Sequence, residues 1–446
     1  MKKTVIAGAI ASLMTAPVMA QNVGTNEELI QKVERLEAEV DYLKENAKAD
    51  RKDGAAKSVV LEGLTTTAAK FVWSGDFRYR HEDIRVEGNV NNRERDRLRV
   101  RFGVLAKVAD TINAKIQLST TNVGGDNARS TNQTLGNSAA GNGAWDRKPL
   151  SIDQAYVEWK PYTPVSVVLG KMPLPWATTV SYFWDKDLTP EGAVVKFAKG
   201  NWFGDVSYNW LSEQDSGTTT PSNFGIARST DSKMISAQVG LKQPIGKTAL
   251  TAALGYFNVE HVKDQPVTAS SGNVCIYKAA NPAFGGNAYG NTTYPVDTCS
   301  LLSSAFEMLE AQAQLDFNIG KFPVTAFVDY LKNEGAENNL DTALSAGFTF
   351  NKASAAKSWE AGVVYQKTEA DSVFGQFHDS DFGGGVTDTD GYALKAAYVP
   401  VVGWTMNATY FINKRFNDIA ITNGTVTTKK TDHDYKRLQL DLNYKF

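Results

Sequence analysis

The chain of 446 residues contains no run of about 18 consecutive apolar residues, so no helix is predicted to cross a bilayer. It has only two cysteines, Cys275 and Cys299, too few for a disulfide-built scaffold. Its four histidines, His81, His261, His378 and His433, are scattered. No HExxH, Cys/His metal spacing or Ser/His/Asp grouping accompanies them, so no catalytic residue, metal ligand or cofactor is predicted. A strong charge of one sign is also missing. The formal net charge of -2 excludes a globally basic nucleic-acid binder. Proline is modest at 14 residues, whereas glycine (36) and aromatics (11%) are plentiful, at a mean hydropathy of -0.32.

What is present starts with "MKKTVIAGAIASLMTAPVMA". Two lysines, a short apolar run and a Val-Met-Ala site read as a cleaved secretory signal over residues 1–20 of an exported bacterial chain. Over 21–48, Leu29, Val33, Leu36, Val40, Leu43 and Ala47 make a heptad seam, predicting a short coiled-coil helix that needs another oligomerising element. Residues 49–69 read as a polar linker.

From residue 70 to 446 the apolar period is two. Sixteen alternating sets follow one another, from Phe71, Trp73, Phe77 and Tyr79 to Leu438, Leu440, Leu442, Tyr444 and Phe446. Short joins such as Ala109–Asn113, Lys160–Pro164 and Gly320–Phe322 alternate with long ones such as Asn122–Pro149, Lys171–Pro190 and Asp371–Asp388. Tryptophans and tyrosines sit at the ends of the sets. This pattern predicts an all-β protein, a 16-stranded antiparallel transmembrane β-barrel with short periplasmic turns, long external loops and both chain ends in the periplasm. Cys275 and Cys299 share one polar, glycine-rich loop and are expected to close it as a disulfide.

The segment "RERDRLRVRFGVLAKVAD" decides which face meets water. Arg95, Arg97, Arg99 and Arg101 alternate with Leu98, Val100 and Phe102. An arginine facing lipid at the midplane costs roughly 2–4 kcal/mol, so these four are predicted to line the lumen. Arg78 and Arg80 of "FVWSGDFRYRHE" join them as a basic stripe. The third long join, "GKMPLPWATTVSYFWDKDLTPEG", is rich in aromatic rings and carries Asp185, Asp187 and Glu191. Folded into the barrel, it would bury its rings and bring its carboxylates to the arginines. The segment "ADSVFGQFHDSDFGGGVTDTDG", with Asp371, Asp379, Asp381, Asp388 and Asp390, is read as a solvated acidic loop in preference to a divalent-cation site.

With its signal, strand count, loop order and terminal strand "KRLQLDLNYKF", the chain resembles the sixteen-stranded trimeric porins of Gram-negative outer membranes. Its closing Phe446 resembles that family's assembly signal. The amino-terminal heptads are more similar to phosphate-selective-type porins and to a group called "putative porins" with a periplasmic helical stalk. The resemblance implies an inward third loop facing a basic ladder, and a homotrimer in outer-membrane lipid and lipopolysaccharide. It implies passive diffusion of small hydrophilic solutes and ions, with the arginines biasing the pore to anions. A pore selective for phosphate or an organic anion is the alternative within this class, and a barrel-anchored envelope tether is the alternative outside it. An outer-membrane enzyme is disfavoured, because no nucleophile has a plausible base.

Overall fold

The computed structural model describes residues 70–446 except 90, 122–127, 137–144, 214–230, 268–287, 297–298, 417–418, 424–425 and 431, together with Glu37, Val40 and Asp41. The chain divides into two units, Met1–Ala69 and Lys70–Phe446. In the first, the three described residues are helical and exposed. The signal at 1–20, the linker at 49–69 and the rest of the expected heptad seam lie outside the described residues.

The second unit is a closed antiparallel barrel. Its first eight strands are β1 (Phe71–Val86), β2 (Arg93–Ala109), β3 (Ile112–Thr120), β4 (Leu150–Tyr162), β5 (Val165–Lys171), β6 (Glu191–Lys199), β7 (Trp202–Ser212) and β8 (Ser232–Ile245). The remaining eight are β9 (Thr248–Glu260), β10 (Phe306–Ile319), β11 (Phe322–Asn333), β12 (Thr342–Phe350), β13 (Trp359–Thr368), β14 (Thr389–Tyr398), β15 (Trp404–Arg415) and β16 (His433–Lys445). Each strand pairs with its successor, and β16 pairs with β1 in register from Asp76↔Lys445 to Val86↔Tyr435. All sixteen alternating sets of the sequence fall on these strands, in the same order.

The alternation survives as geometry. Trp73, Phe102, Leu169, Val206, Val239, Leu254 and Leu440 point outward and are exposed, as lipid-facing side chains are in an isolated barrel. Aromatic pairs brace both rims. Trp404 and Tyr444 lie 4.9 Å apart near the short turns, and Tyr365 and Tyr392 lie 5.2 Å apart toward the long loops. Joins between even and odd strands are tight, as at 110–111 and 320–321, whereas those between odd and even strands run as long as 261–305. At the seam, Gly75 N donates to Phe446 O at 3.0 Å and Phe446 N returns the bond to Gly75 O at 3.2 Å. A Cβ at position 75 would stand 2.4 Å from the Phe446 ring and 2.6 Å from Arg101 O, so closure there requires a glycine.

The lumen is not uniformly polar. Met234 on β8, Phe257 on β9, Phe306 and Met308 on β10 and Leu331 on β11 all point inward and are buried. They pack on Trp176, Phe183 and Trp184 of the third long loop (172–190) and on Val373 and Phe374 of the seventh (369–388). Burying an apolar face against folded-in loops removes it from water on one side of the bore. The opposite wall, β16–β1–β2, is left to the charged residues.

Candidate functional site: an arginine wall under three loops

The register of β1 on β2 pairs Asp76 with Arg101, Arg78 with Arg99, Arg80 with Arg97 and Glu82 with Arg95. Directly paired residues on neighbouring strands share a face, so one lumenal patch holds all eight. On the other side of β1, Asn443 stands opposite Arg78, Asp441 opposite Arg80 and Gln439 opposite Glu82. Arg437 belongs to the same face, two residues before Gln439.

Seven guanidinium groups of one sign cannot be packed this closely without counter-charge, and the wall supplies much of it. Asp76 accepts from Arg99 at 2.8 Å and from Arg101 at 2.6 Å. Asp441 accepts from Arg80 Nε at 2.6 Å, and Arg78 Nε donates to Asn443 Oδ1 at 2.8 Å. Glu82, fully buried, accepts from Arg95 and Arg437 and lies 3.6 Å from both Arg80 and Arg97. Arg80, Arg97, Arg99 and Arg437 are buried, whereas the Arg101 side chain keeps 24% of its exposure. Arg437 was overlooked in the sequence, although "KRLQLDLNYKF" carries the signal. With Leu438, Leu440 and Leu442 outward, Arg437, Gln439, Asp441 and Asn443 must face the lumen.

The third loop crosses the lumen as a shelf. The Ala177 amide donates to Gln238 Oε1 at 2.8 Å, and Gln312 Nε2 donates to Ala177 O at 2.7 Å. Thr179 and Ser181 hydroxyls both donate to Asp329 Oδ2, at 2.7 and 2.8 Å, and the Tyr182 amide donates to Gln366 Oε1 at 2.8 Å. Trp184 Nε1 donates to Glu310 Oε1 at 3.1 Å. Returning toward β6, the loop sets Asp187 at 3.8 Å from Arg99 Nη1 and 3.7 Å from Arg101 Nη1.

The three acids expected of this loop therefore have different places. Asp187 faces the arginines. Asp185 is buried away from them, its two oxygens accepting the amides of Asp187 and Ser380, each at 2.8 Å. Glu191 is not in the loop at all. Pairing with Lys171 makes it the first residue of β6, on the outward parity of Ala193 and Val195, with an ion pair of 2.9 Å to Lys171 and a side chain 61% exposed. Cys275 lies outside the described residues, so the expected bond to Cys299 does too; Cys299 opens a short strand, Cys299–Leu302.

The seventh loop, read from sequence as a solvated acidic segment, is inside the barrel. Val373, Phe374, His378 and Phe382 are buried, and Tyr182 stacks on Phe382 at 5.2 Å. Its phenylalanines were the available signal, the same one that places the third loop inside. Its acids are used one by one. Asp371 accepts from the Thr292 amide (2.8 Å), Ser304 Oγ (2.7 Å) and Asn338 Nδ2 (2.9 Å), which ties loops five, six (334–341) and seven together. Asp381 bridges Arg80 Nη1 at 2.9 Å and Arg437 Nη2 at 2.8 Å. From the second loop (121–149), the buried Arg129 reaches across, and its Nη1 donates to the carbonyls of Gly375 (3.1 Å), His378 (3.1 Å) and Gly385 (2.9 Å). Its guanidinium carbon stands 3.5 Å from the Tyr289 ring centroid.

Loops three and seven meet in a clasp. Asp185 N donates to Phe377 O at 2.8 Å and Asp379 N to Tyr182 O at 3.2 Å. Burial, with Asp379 and Asp187 nearby, pushes the Asp185 carboxyl well above the usual carboxylate range. Burial and then Asp381 push Asp379 up to about 6. For Asp187 burial opposes ionisation, but Arg99 and Arg101 outweigh it and hold the carboxyl below its usual range. For Asp381, Arg437 and Arg80 outweigh burial in the same way. An acid whose folded pKa is raised stabilises the fold below its unfolded pKa and loses that contribution as pH rises through the folded value. The clasp should therefore be firmest below about pH 4 and loosen as pH rises through about 6. Amide exchange at residues 377–382, followed from pH 4 to 7 and corrected for intrinsic rates, should show protection falling over that interval. Asp379→Asn should flatten the profile; an equally steep fall in the variant would refute the assignment.

No curated protein sequence matches the chain. Among solved structures it is similar to OprB of Pseudomonas putida at high pH, with 13% identity and a TM-score of 0.51 over 86% of this chain and 96% of that one. It also aligns with a loop-L8 deletion mutant of OmpT, an outer membrane protein of Vibrio cholerae, at 12% identity and a TM-score of 0.46, over 84% of this chain and 100% of that one. The likeness to OprB is one of fold. The model of the family described as "Putative porin" matches residues 77–446, nearly the whole barrel. With that match and a closed sixteen-stranded barrel, the chain belongs to this porin family and is an outer-membrane channel for the passive diffusion of solutes.

Proposed function

We propose that the channel passes small hydrophilic solutes and ions with a bias toward anions. One observation carries this reading. On β16, β1 and β2, the lumenal guanidiniums of Arg78, Arg80, Arg95, Arg97, Arg99, Arg101 and Arg437 outnumber the carboxylates of Asp76, Glu82 and Asp441, even after the loops add Asp187 and Asp381. A surplus of fixed positive charge in a narrow, water-filled path raises local anion concentration and repels cations. Arg101, which pairs with both Asp76 and Asp187 and is more exposed than the other arginines of the ladder, is the one most open to a passing solute. The same reading includes a homotrimer surrounded by lipid and lipopolysaccharide, a periplasmic amino-terminal helix joining its subunits, and no catalytic centre.

Planar bilayers with a tenfold KCl gradient test the bias. The reversal potential of the purified full-length protein should lie on the chloride side of zero. A value on the potassium side would sink it.

A further inference from the structure

We infer that Asp381, on the seventh loop, is a specificity-determining residue of the channel, a tethered counter-charge that limits how anion-selective the arginine wall is. The inference rests on the anion reading above, and adds the device that sets its strength.

Asp381 is not part of the wall. It belongs to a loop folded in from the external side, yet its two oxygens take one guanidinium each, Oδ2 from Arg80 at 2.9 Å and Oδ1 from Arg437 at 2.8 Å. These are contacts of direct hydrogen-bonding length, unlike the 3.7–3.8 Å separations of Asp187 from Arg99 and Arg101. The loop is built to hold the carboxylate there. Gly384 N donates to Asp381 O at 3.1 Å, Asp379 Oδ1 accepts the Asp381 amide at 2.8 Å, and Arg415 Nε donates to Gly383 O at 2.5 Å. Phe382, next in sequence, is anchored between Tyr182 and Phe411. The Asp381 side chain is only 19% exposed, so few water molecules screen it.

Two consequences follow for a permeating ion. The carboxylate offsets one of the fixed positive charges of the wall, whose field acts on the path although Arg80 and Arg437 are themselves buried. It also takes the Nη1 of Arg80, whose Nε and Nη2 are already on Asp441, and shares the Nη2 of Arg437 with Glu82, so none of these donors is left over for an anionic solute. A single sidechain on a loop, and not on a strand, thus tunes the charge of the bore.

The test compares reversal potentials of wild type and Asp381→Asn in the same KCl gradient. Removing one unit charge at the wall should raise the chloride-to-potassium permeability ratio on the order of fivefold. Because the variant leaves Arg80 and Arg437 short of an anion and could fail to fold, Arg437→Gln is compared with Arg437→Gln/Asp381→Asn as well. In that background the added Asp381→Asn should again move the potential toward chloride. Identical potentials within either folded pair overturn the inference. A wild-type potential on the potassium side would defeat the anion reading alone, since the displacement caused by Asp381→Asn would still be measured.

Discussion

Arg129→Ala should enlarge the conducting path more than any change on the barrel wall. Its guanidinium is buried and serves three backbone carbonyls of the seventh loop while lying against Tyr289 of the fifth, so one side chain from the second loop fixes two others. Each buried acceptor left without a donor costs about 1–3 kcal/mol, which makes the loss several kcal/mol and local to the loops. The barrel ladder does not depend on it. Single-channel recordings are therefore expected to show higher mean conductance and frequent switching between levels, with the thermal transition of the barrel little changed. Arg129→Lys should recover part of the effect, because an ammonium offers donors but lacks the planar fork. A variant with wild-type conductance and quiet open levels would show that the three loops hold one another without Arg129.

Glu82→Gln is the counterpart that should injure the barrel itself. Glu82 is fully buried, paired with Arg95 and Arg437 and within 3.6 Å of Arg80 and Arg97. Gln keeps the shape and removes the charge, leaving buried guanidiniums from β1, β2 and β16 under-compensated. Breaking a buried charge pair in this way costs about 3–5 kcal/mol. Those three strands form the seam, so the loss should appear as a lower unfolding midpoint in urea and a barrel that no longer resists heat in detergent. Double substitution with Arg437→Gln should restore part of the stability. Unchanged unfolding of Glu82→Gln would mean that water, and not this carboxylate, solvates the arginines.

These expectations could not all be drawn from sequence. Polarity that switches at every residue made the sixteen strands, their order and their lipid face readable, since an arginine ladder such as Arg95–Arg101 tolerates only one orientation. The third loop was readable because Trp176, Tyr182, Phe183 and Trp184 had to be buried somewhere. What the pattern does not encode is which partner a long side chain finds. Parity placed Arg80 in the lumen, but its contact with Asp381 is made across 301 positions of chain. Glu191 misled because a loop boundary was set by composition, whereas pairing with Lys171 extends β6 to include it. The seventh loop was misjudged because five aspartates outweighed three phenylalanines, although only the rings report where a segment is buried.

The bond between Gly75 and Phe446 has a consequence for biogenesis. The first and last strands are neighbours in space but some 365 positions apart along the chain, as Arg78 and Asn443 show. Until β16 has been delivered, both edges present bare amides and carbonyls, and hydrocarbon cannot solvate them. A nascent chain therefore cannot complete insertion piecemeal as a helical membrane protein can. Its two open edges have to stay shielded until they meet, and closure waits on β16, whose pairing with β1 is continued by the bonds between Gly75 and Phe446.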